Sequence, residues 1–154
     1  MGTGLWGRPY VRVYEKMGMS VVSTEKYDRG YGGRGLDFLI TSNTPIDTEW
    51  IITNPPFSLS EEFIRKCIYH GLPFALLLKS QYWHSQRRRK LFEEYKPNSV
   101  LPLTWRPDFL FGAKSGSPTM ECIWTVWGDR PTNITEYVPL IKPAAQQKEQ
   151  GREC

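Results

Sequence analysis

The chain has 154 residues and a mass of 17.9 kDa, with 40% hydrophobic and 23% charged residues. That composition excludes a disordered chain and is large enough to bury one core. No apolar run approaches the roughly 18 residues a membrane helix needs, and the start MGTGLWGRPY has no secretory apolar segment. Cys67, Cys122 and Cys154 are widely spaced with no CxxC pair, and the two histidines are His70 and His84. Neither a disulfide framework nor a metal site is expected, and a reducing cytosol fits best. The net charge is +4, and the whole excess falls in residues 61–100, with eight basic and four acidic side chains. Within it, Lys79, Arg87, Arg88, Arg89 and Lys90 stand without an acid, beside Tyr82 and Trp83. Such a run is either a nucleic-acid contact or a solvated helix face.

In chain order, Tyr10, Val11, Tyr14 and Met17 recur at helical spacing, and Gly18 supplies a C-terminal cap. SVVST over 20–24 is a β-branched run and predicts a strand. The four glycines of YDRGYGGRG predict a loop. Asp37-Phe38-Leu39-Ile40 has the character of a short strand, and EWIIT over 49–53 that of another, stopped by Asn54-Pro55-Pro56-Phe57. Ser58 and Glu61 have the spacing of a capping box, so a helix is expected from there. Its apolar stripe is Leu59, Phe63, Ile64, Cys67 and Ile68, and Gly71 ends it. FALLL over 74–78 reads as a strand covered on both faces. A helix over about 85–95 follows, with Leu91, Phe92 and Tyr95 inward. SVLPL over 99–103 and ECIWTVW over 121–127 are two more strands, joined by the turn-rich TWRPDFLFGAKSGSPT. A polar tail, 143–154, follows a single domain over 1–142. Alternating strands and helices predict an α/β domain with a mainly parallel sheet, whose ligands bind at the carboxyl ends of strands. Glu25 and Asn54 both fall just after predicted strands.

Asn54-Pro55-Pro56-Phe57 carries the most chemistry. The Asn54 side-chain carbonyl accepts hydrogen bonds. Pro55 has no N–H and a fixed φ, and Pro56 restricts the ψ of Pro55. The backbone is stiff, so its carbonyls can be held outward as acceptors beside the amide. Phe57 adds a flat face for stacking. An NH₂ group on a planar ring is what such a set holds; the plainer reading is a proline turn that ends a strand.

On these residues the chain resembles S-adenosylmethionine-dependent amino-methyltransferases, and more narrowly small phage-type DNA adenine N6-methyltransferases. Their D/N-P-P-Y/F/W motif is matched by Asn54-Pro55-Pro56-Phe57, and the resemblance spans roughly residues 2–142. It implies a Rossmann-like methyltransferase sheet, mainly parallel with a late antiparallel hairpin. It implies S-adenosylmethionine as cofactor, held by Gly2, Gly4, Glu25, Asp37, Phe38 and Asn54. Glu25 corresponds to the acid that accepts from the ribose hydroxyls, and Asp37, with Phe38, to the position at the adenine ring. Asn54, Pro55, Pro56 and Phe57 are the implied catalytic set. DNA contacts would come from Lys79, Arg87, Arg88, Arg89 and Lys90, with Trp105 and Phe109 of WRPDF as candidates to cover the target base. For Trp105 the plainer reading is a core or hairpin residue. A phage or prophage gene in a bacterial cytoplasm is implied by the resemblance alone, whereas no membrane or metal partner is expected from the sequence itself.

The chain departs from that pattern in two places. The family's opening strand and D/E-P-x-x-G-x-G loop should precede the first helix, whereas only Gly2-Thr3-Gly4 stands there, so weak cofactor binding is expected. No separate target-recognition domain is apparent, so the 79–90 and 104–119 segments would supply the DNA contacts. Three other readings share these residues: methylation of guanine in RNA, methylation of a protein glutamine amide, and a degenerate nucleic-acid-binding domain without activity.

Overall fold

The computed structural model describes residues 7–26, 33–107 and 120–144. The chain divides into two compact units, Met1–Thr48 and Glu49–Cys154. Gly2, Gly4, Phe109, most of the 104–119 connection and nearly all of the polar tail lie outside the described residues.

In the first unit the helix α1 covers Gly7–Lys16. Gly18 ends it at φ +80°, with Gly18 N–H donating to the Glu15 carbonyl and Met19 N–H to Tyr14, both at 3.0 Å. This is the two-bond glycine cap that the sequence predicts, and it satisfies carbonyls the helix leaves open. The strand predicted over 20–24 is reduced to β1, Thr24–Glu25, which pairs in parallel with β2, Gly33–Arg34. β-Branched residues make a strand only against a ladder, and this one is two residues long. Val22, 67% exposed, has no face to pack against. Glu25 thus lies within a strand rather than after one, and Gly33 and Arg34 leave the predicted loop to pair with it.

Residues 37–40 are a turn, not a strand. The Asp37 carboxylate accepts from Leu39 N–H at 3.1 Å, and the Asp37 carbonyl accepts from Ile40 N–H, Thr41 N–H and the Thr41 hydroxyl. A short acidic side chain that bonds its own backbone competes with the extended state, and here it wins.

The second unit is built on a mixed α/β sheet of five strands in the order β3-β4-β6-β5-β7. They are β3 (Ile51–Thr53), β4 (Phe74–Lys79), β5 (Ser99–Pro102), β6 (Cys122–Trp127) and β7 (Glu136–Tyr137). β3 and β4 pair in parallel, as do β5 and β7, while β6 is antiparallel to both β4 and β5. Four strands therefore run one way and β6 opposes them. β7 has no counterpart in the sequence reading, because two exposed residues show no alternation to detect.

Helix α2 covers Ser60–His70 and ends at Gly71, φ +67°. The predicted capping box does not form. A 3-10 turn over Phe57–Leu59 comes first, and Leu59 occupies the N-cap with no side-chain bond. Pro56, at φ −54°, starts this turn, and the Ser60 hydroxyl donates back to the Phe57 carbonyl at 3.0 Å. Ser58 and Glu61 then straddle the junction between the two helix types, out of capping register.

The helix predicted over 85–95 is also shorter. Ser80–His84 and Gln86–Arg88 are 3-10 turns, and α3 covers only Arg89–Glu94.

The core lies between β4 and the helices. Leu76, Leu77 and Leu78 are buried with Ile64 and Cys67 of α2 and Leu91 of α3. Trp83, Phe92, Trp127 and Phe74 form a run of near-parallel rings, with centroids 4.4, 6.4 and 4.5 Å apart in turn. The Trp127 indole N–H donates to the Tyr95 carbonyl at 2.9 Å, so the polar tip of that ring is satisfied. Cys67 and Cys122 are free and buried, and burial pushes their thiols up to about 12 and about 11. Both stay protonated and unreactive at neutral pH.

Thr125 is completely buried beside Leu76, and its hydroxyl has no hydrogen-bond partner among the described residues. An orphaned buried hydroxyl costs on the order of 1–3 kcal/mol. Thr125→Val is therefore expected to raise the unfolding free energy by about 1 kcal/mol or more in urea titration. A loss of stability would mean that the hydroxyl has a partner in solution.

Candidate functional site

β3 and β4 lie in parallel register, Thr53 beside Leu76. Their carboxyl ends therefore open on the same side, and the chain leaves β3 there as Asn54-Pro55-Pro56-Phe57. Asn54 is half-buried and Pro55 buried. The Asn54 side-chain oxygen is shut away from solvent and has no hydrogen-bond partner among the described residues. Buried acceptors are nearly always paired, so this oxygen is poised for a donor from elsewhere. The Pro56 carbonyl is already taken by Leu59 N–H at 2.8 Å.

Phe57 follows at the start of the 3-10 turn. Lys79, the last residue of β4, places its ammonium 5.0 Å from the centroid of that ring. A cation this close to the ring of Phe57 holds it in place by attraction to its π-system.

Beyond β4 the chain turns over Ser80–His84, and Ser80 N–H donates to the Glu121 carbonyl at 3.0 Å. Tyr82 is buried, and the Arg88 guanidinium lies 3.8 Å from its ring centroid. Arg88 also donates to the Tyr82 carbonyl at 3.2 Å. Burial pushes the Tyr82 hydroxyl up to about 12, with Arg88 pulling the other way.

The basic run of the sequence is thus divided by the fold. Arg88 is committed to Tyr82, and Arg89 forms an ion pair with Glu93 at 2.6 Å. Arg87 and Lys90 are exposed and have no ion pair among the described residues. Trp105 is half-buried next to Arg106, which pairs with Glu121 at 3.1 Å.

A polar cleft of about 210 Å³ adjoins this end of the sheet. Phe57, Tyr82, Arg87 and Arg88 line it, together with Glu61, Glu62 and Arg65 from the first turns of α2. Sequence reasoning missed the α2 residues. Glu61 registers there only as a cap, and nothing in the spacing shows that the first turn of α2 faces the basic segment.

The cofactor candidates Asp37 and Phe38 lie in the first unit. Lys26 donates to Asp37 Oδ2 at 2.7 Å and Leu39 N–H to Oδ1. The Lys26 hydrogen bond, followed by that of Leu39, holds the carboxyl below the usual carboxylate range. Asp37 is therefore ionised at neutral pH, and each oxygen keeps a free lone pair. Glu25 is placed only by its backbone, paired with Arg34 in the two-stranded ladder.

Among the described residues no group of three or more His, Cys, Asp or Glu side chains could hold a metal ion. No helix among them is long and apolar enough to cross a membrane. Comparison with protein-family models gave no match, and comparison with curated proteins gave none either.

Proposed function

We propose that this chain is an S-adenosylmethionine-dependent methyltransferase acting on the exocyclic amino group of adenine in DNA. The observation that carries the reading is the buried, unpartnered Asn54 oxygen at the carboxyl end of β3. Behind it stand the two prolines and the aromatic ring of Phe57. Four co-directional strands with β6 reversed also fit a Rossmann-like methyltransferase sheet.

When bound, S-adenosylmethionine supplies an electrophilic methyl: its carbon–sulfur bond breaks as the nitrogen–carbon bond forms, and a thioether leaves. An ionised Asp37 fits the hydroxyl or amino donors of such a nucleoside. The remaining chemistry belongs to the protein. The adenine amine is a poor nucleophile because its lone pair is delocalised into the ring. Asn54 and the Pro55 carbonyl, each accepting one amine hydrogen, favour a more tetrahedral nitrogen whose lone pair is available. The same acceptors stabilise the positive charge that grows on nitrogen, before it loses a proton to solvent. Phe57 stacks the extruded base, whose removal from the duplex costs a few kcal/mol.

Incorporation of tritiated methyl into DNA, RNA and protein substrates tests the proposal. Transfer to adenine N6 in DNA is expected. Incorporation into RNA or protein alone would move the activity to that substrate, and none anywhere would leave a binding domain.

The fold also sharpens the expectation for the basic segment. Replacing Lys90 with alanine should weaken DNA binding for all sequences alike. It should reduce the slope of log affinity against log salt by up to about 0.9, the contribution of one neutralised phosphate. An unchanged slope in salt-dependent anisotropy would make this run a solvated face.

A further inference from the structure

The cleft beside Phe57 is lined by opposite charges, and most of them are already used. Glu61 Oε1 accepts from Arg65 Nε and Nη2 at 3.3 and 3.0 Å. Arg88 rests on Tyr82. What remains is one guanidinium, Arg87, on the 3-10 turn, and one carboxylate, Glu62, in the first turn of α2. Both are exposed, and neither has an ion pair or hydrogen bond among the described residues.

A group that is anionic throughout would leave Glu62, the carboxylate there without an ion pair among the described residues, facing like charge. The volume, about 210 Å³, is below the roughly 300 Å³ at which sites for drug-sized ligands begin, so it has room for one ring system. A free carboxylate and a free guanidinium lining one cleft suit a planar group with two adjacent donors on one edge and two acceptors on another. Among the bases only guanine offers both. Its N1–H and N2–H point the same way, as a carboxylate accepts them, and O6 and N7 suit the arginine fork. Adenine and cytosine each place a ring acceptor beside their amino group, which would face the carboxylate.

We propose that this cleft is the subsite for a guanine adjoining the target base, with Glu62 accepting from N1–H and N2–H and Arg87 donating to O6 and N7. The proposal rests on the methyltransferase reading, because Phe57 both stacks the target base and walls the cleft.

Labelled single-stranded oligonucleotides would be titrated by fluorescence anisotropy, each with one adenine beside guanine, inosine, 7-deazaguanine or a second adenine, on either side. The guanine oligomer is expected to bind about 5- to 150-fold more tightly than the all-adenine one, the range for one good bidentate contact. Inosine, which lacks the N2 amine, and 7-deazaguanine, which lacks N7, should fall between. Glu62→Ala should abolish the guanine–inosine difference, and Arg87→Ala the guanine–7-deazaguanine difference. Both side chains are exposed, so neither change disturbs the core. Equal affinity for all four, no binding of any, or a preference that survives both substitutions would overturn the subsite. Methyl transfer measured on the same oligomers separates the two readings. Preference without transfer sinks the enzymatic reading and keeps the guanine cleft, while transfer without preference does the reverse.

Discussion

Asn54→Ala is expected to lower methyl transfer by on the order of 100- to 1,000-fold while leaving cofactor binding, which rests mainly on other residues, nearly intact. The magnitude is that of losing one preorganised polar contact to a charge that develops only in the transition state. Asn54 is suited to this role because its oxygen is buried and no described residue competes for it. Alanine leaves one amine hydrogen unpaired in a water-excluded site and removes an acceptor from the nascent cationic nitrogen. The effect should fall on kcat rather than on KM, because the interaction strengthens as the charge forms. Phe57→Ala should instead weaken base binding, by about 1–3 kcal/mol, the usual worth of one stacking platform. Single-turnover transfer and calorimetric titration of S-adenosylmethionine, run on parent and variants, check both. Parental activity in Asn54→Ala would make the tetrapeptide only a turn.

The largest expected effect on stability is that of Leu76→Ala. Leu76 is fully buried in the middle of β4, paired with Thr53 on one side and Thr125 on the other. Shortening it removes apolar contact and leaves a void that a central strand, held in register on both edges, cannot close. Such changes cost about 2–5 kcal/mol, against a total of about 5–15 kcal/mol for an ordinary domain. Urea titration should show a lower midpoint with an unchanged slope. A loss below about 1 kcal/mol would mean that the surroundings collapse onto the alanine.

How much of this was legible in the sequence depended on how local the signal was. FALLL declared a strand buried on both faces, and the structure places it between β3 and β6. Gly18 and Gly71 declared helix ends, and both adopt positive φ. The strand that delivers Asn54 was legible from its β-branched run and its proline stop. Where two local signals competed, the reading failed. Asp37 heads an apolar triplet that has the character of a short strand, yet its carboxylate accepts from Leu39 N–H and the triplet folds into a turn. Ser58 and Glu61 had the spacing of a cap, but Pro56 set the entry geometry first. The division of the basic run could not be read at all. Arg87 and Arg88 are adjacent, and only the position of Tyr82 makes one a structural clamp and leaves the other free. The orphaned Asn54 oxygen is likewise a property of three-dimensional packing.

The reversed strand β6 has a consequence for biosynthesis. It covers β4 along its whole length, yet Cys122, its first residue, emerges 43 positions after Lys79, with which it pairs. At the usual 5–20 residues per second, roughly 2–10 s pass between completion of β4 and completion of β6. Throughout that interval the nascent chain holds an apolar strand with one hydrogen-bonding edge open. That is the period in which ribosome-associated chaperones have most to protect.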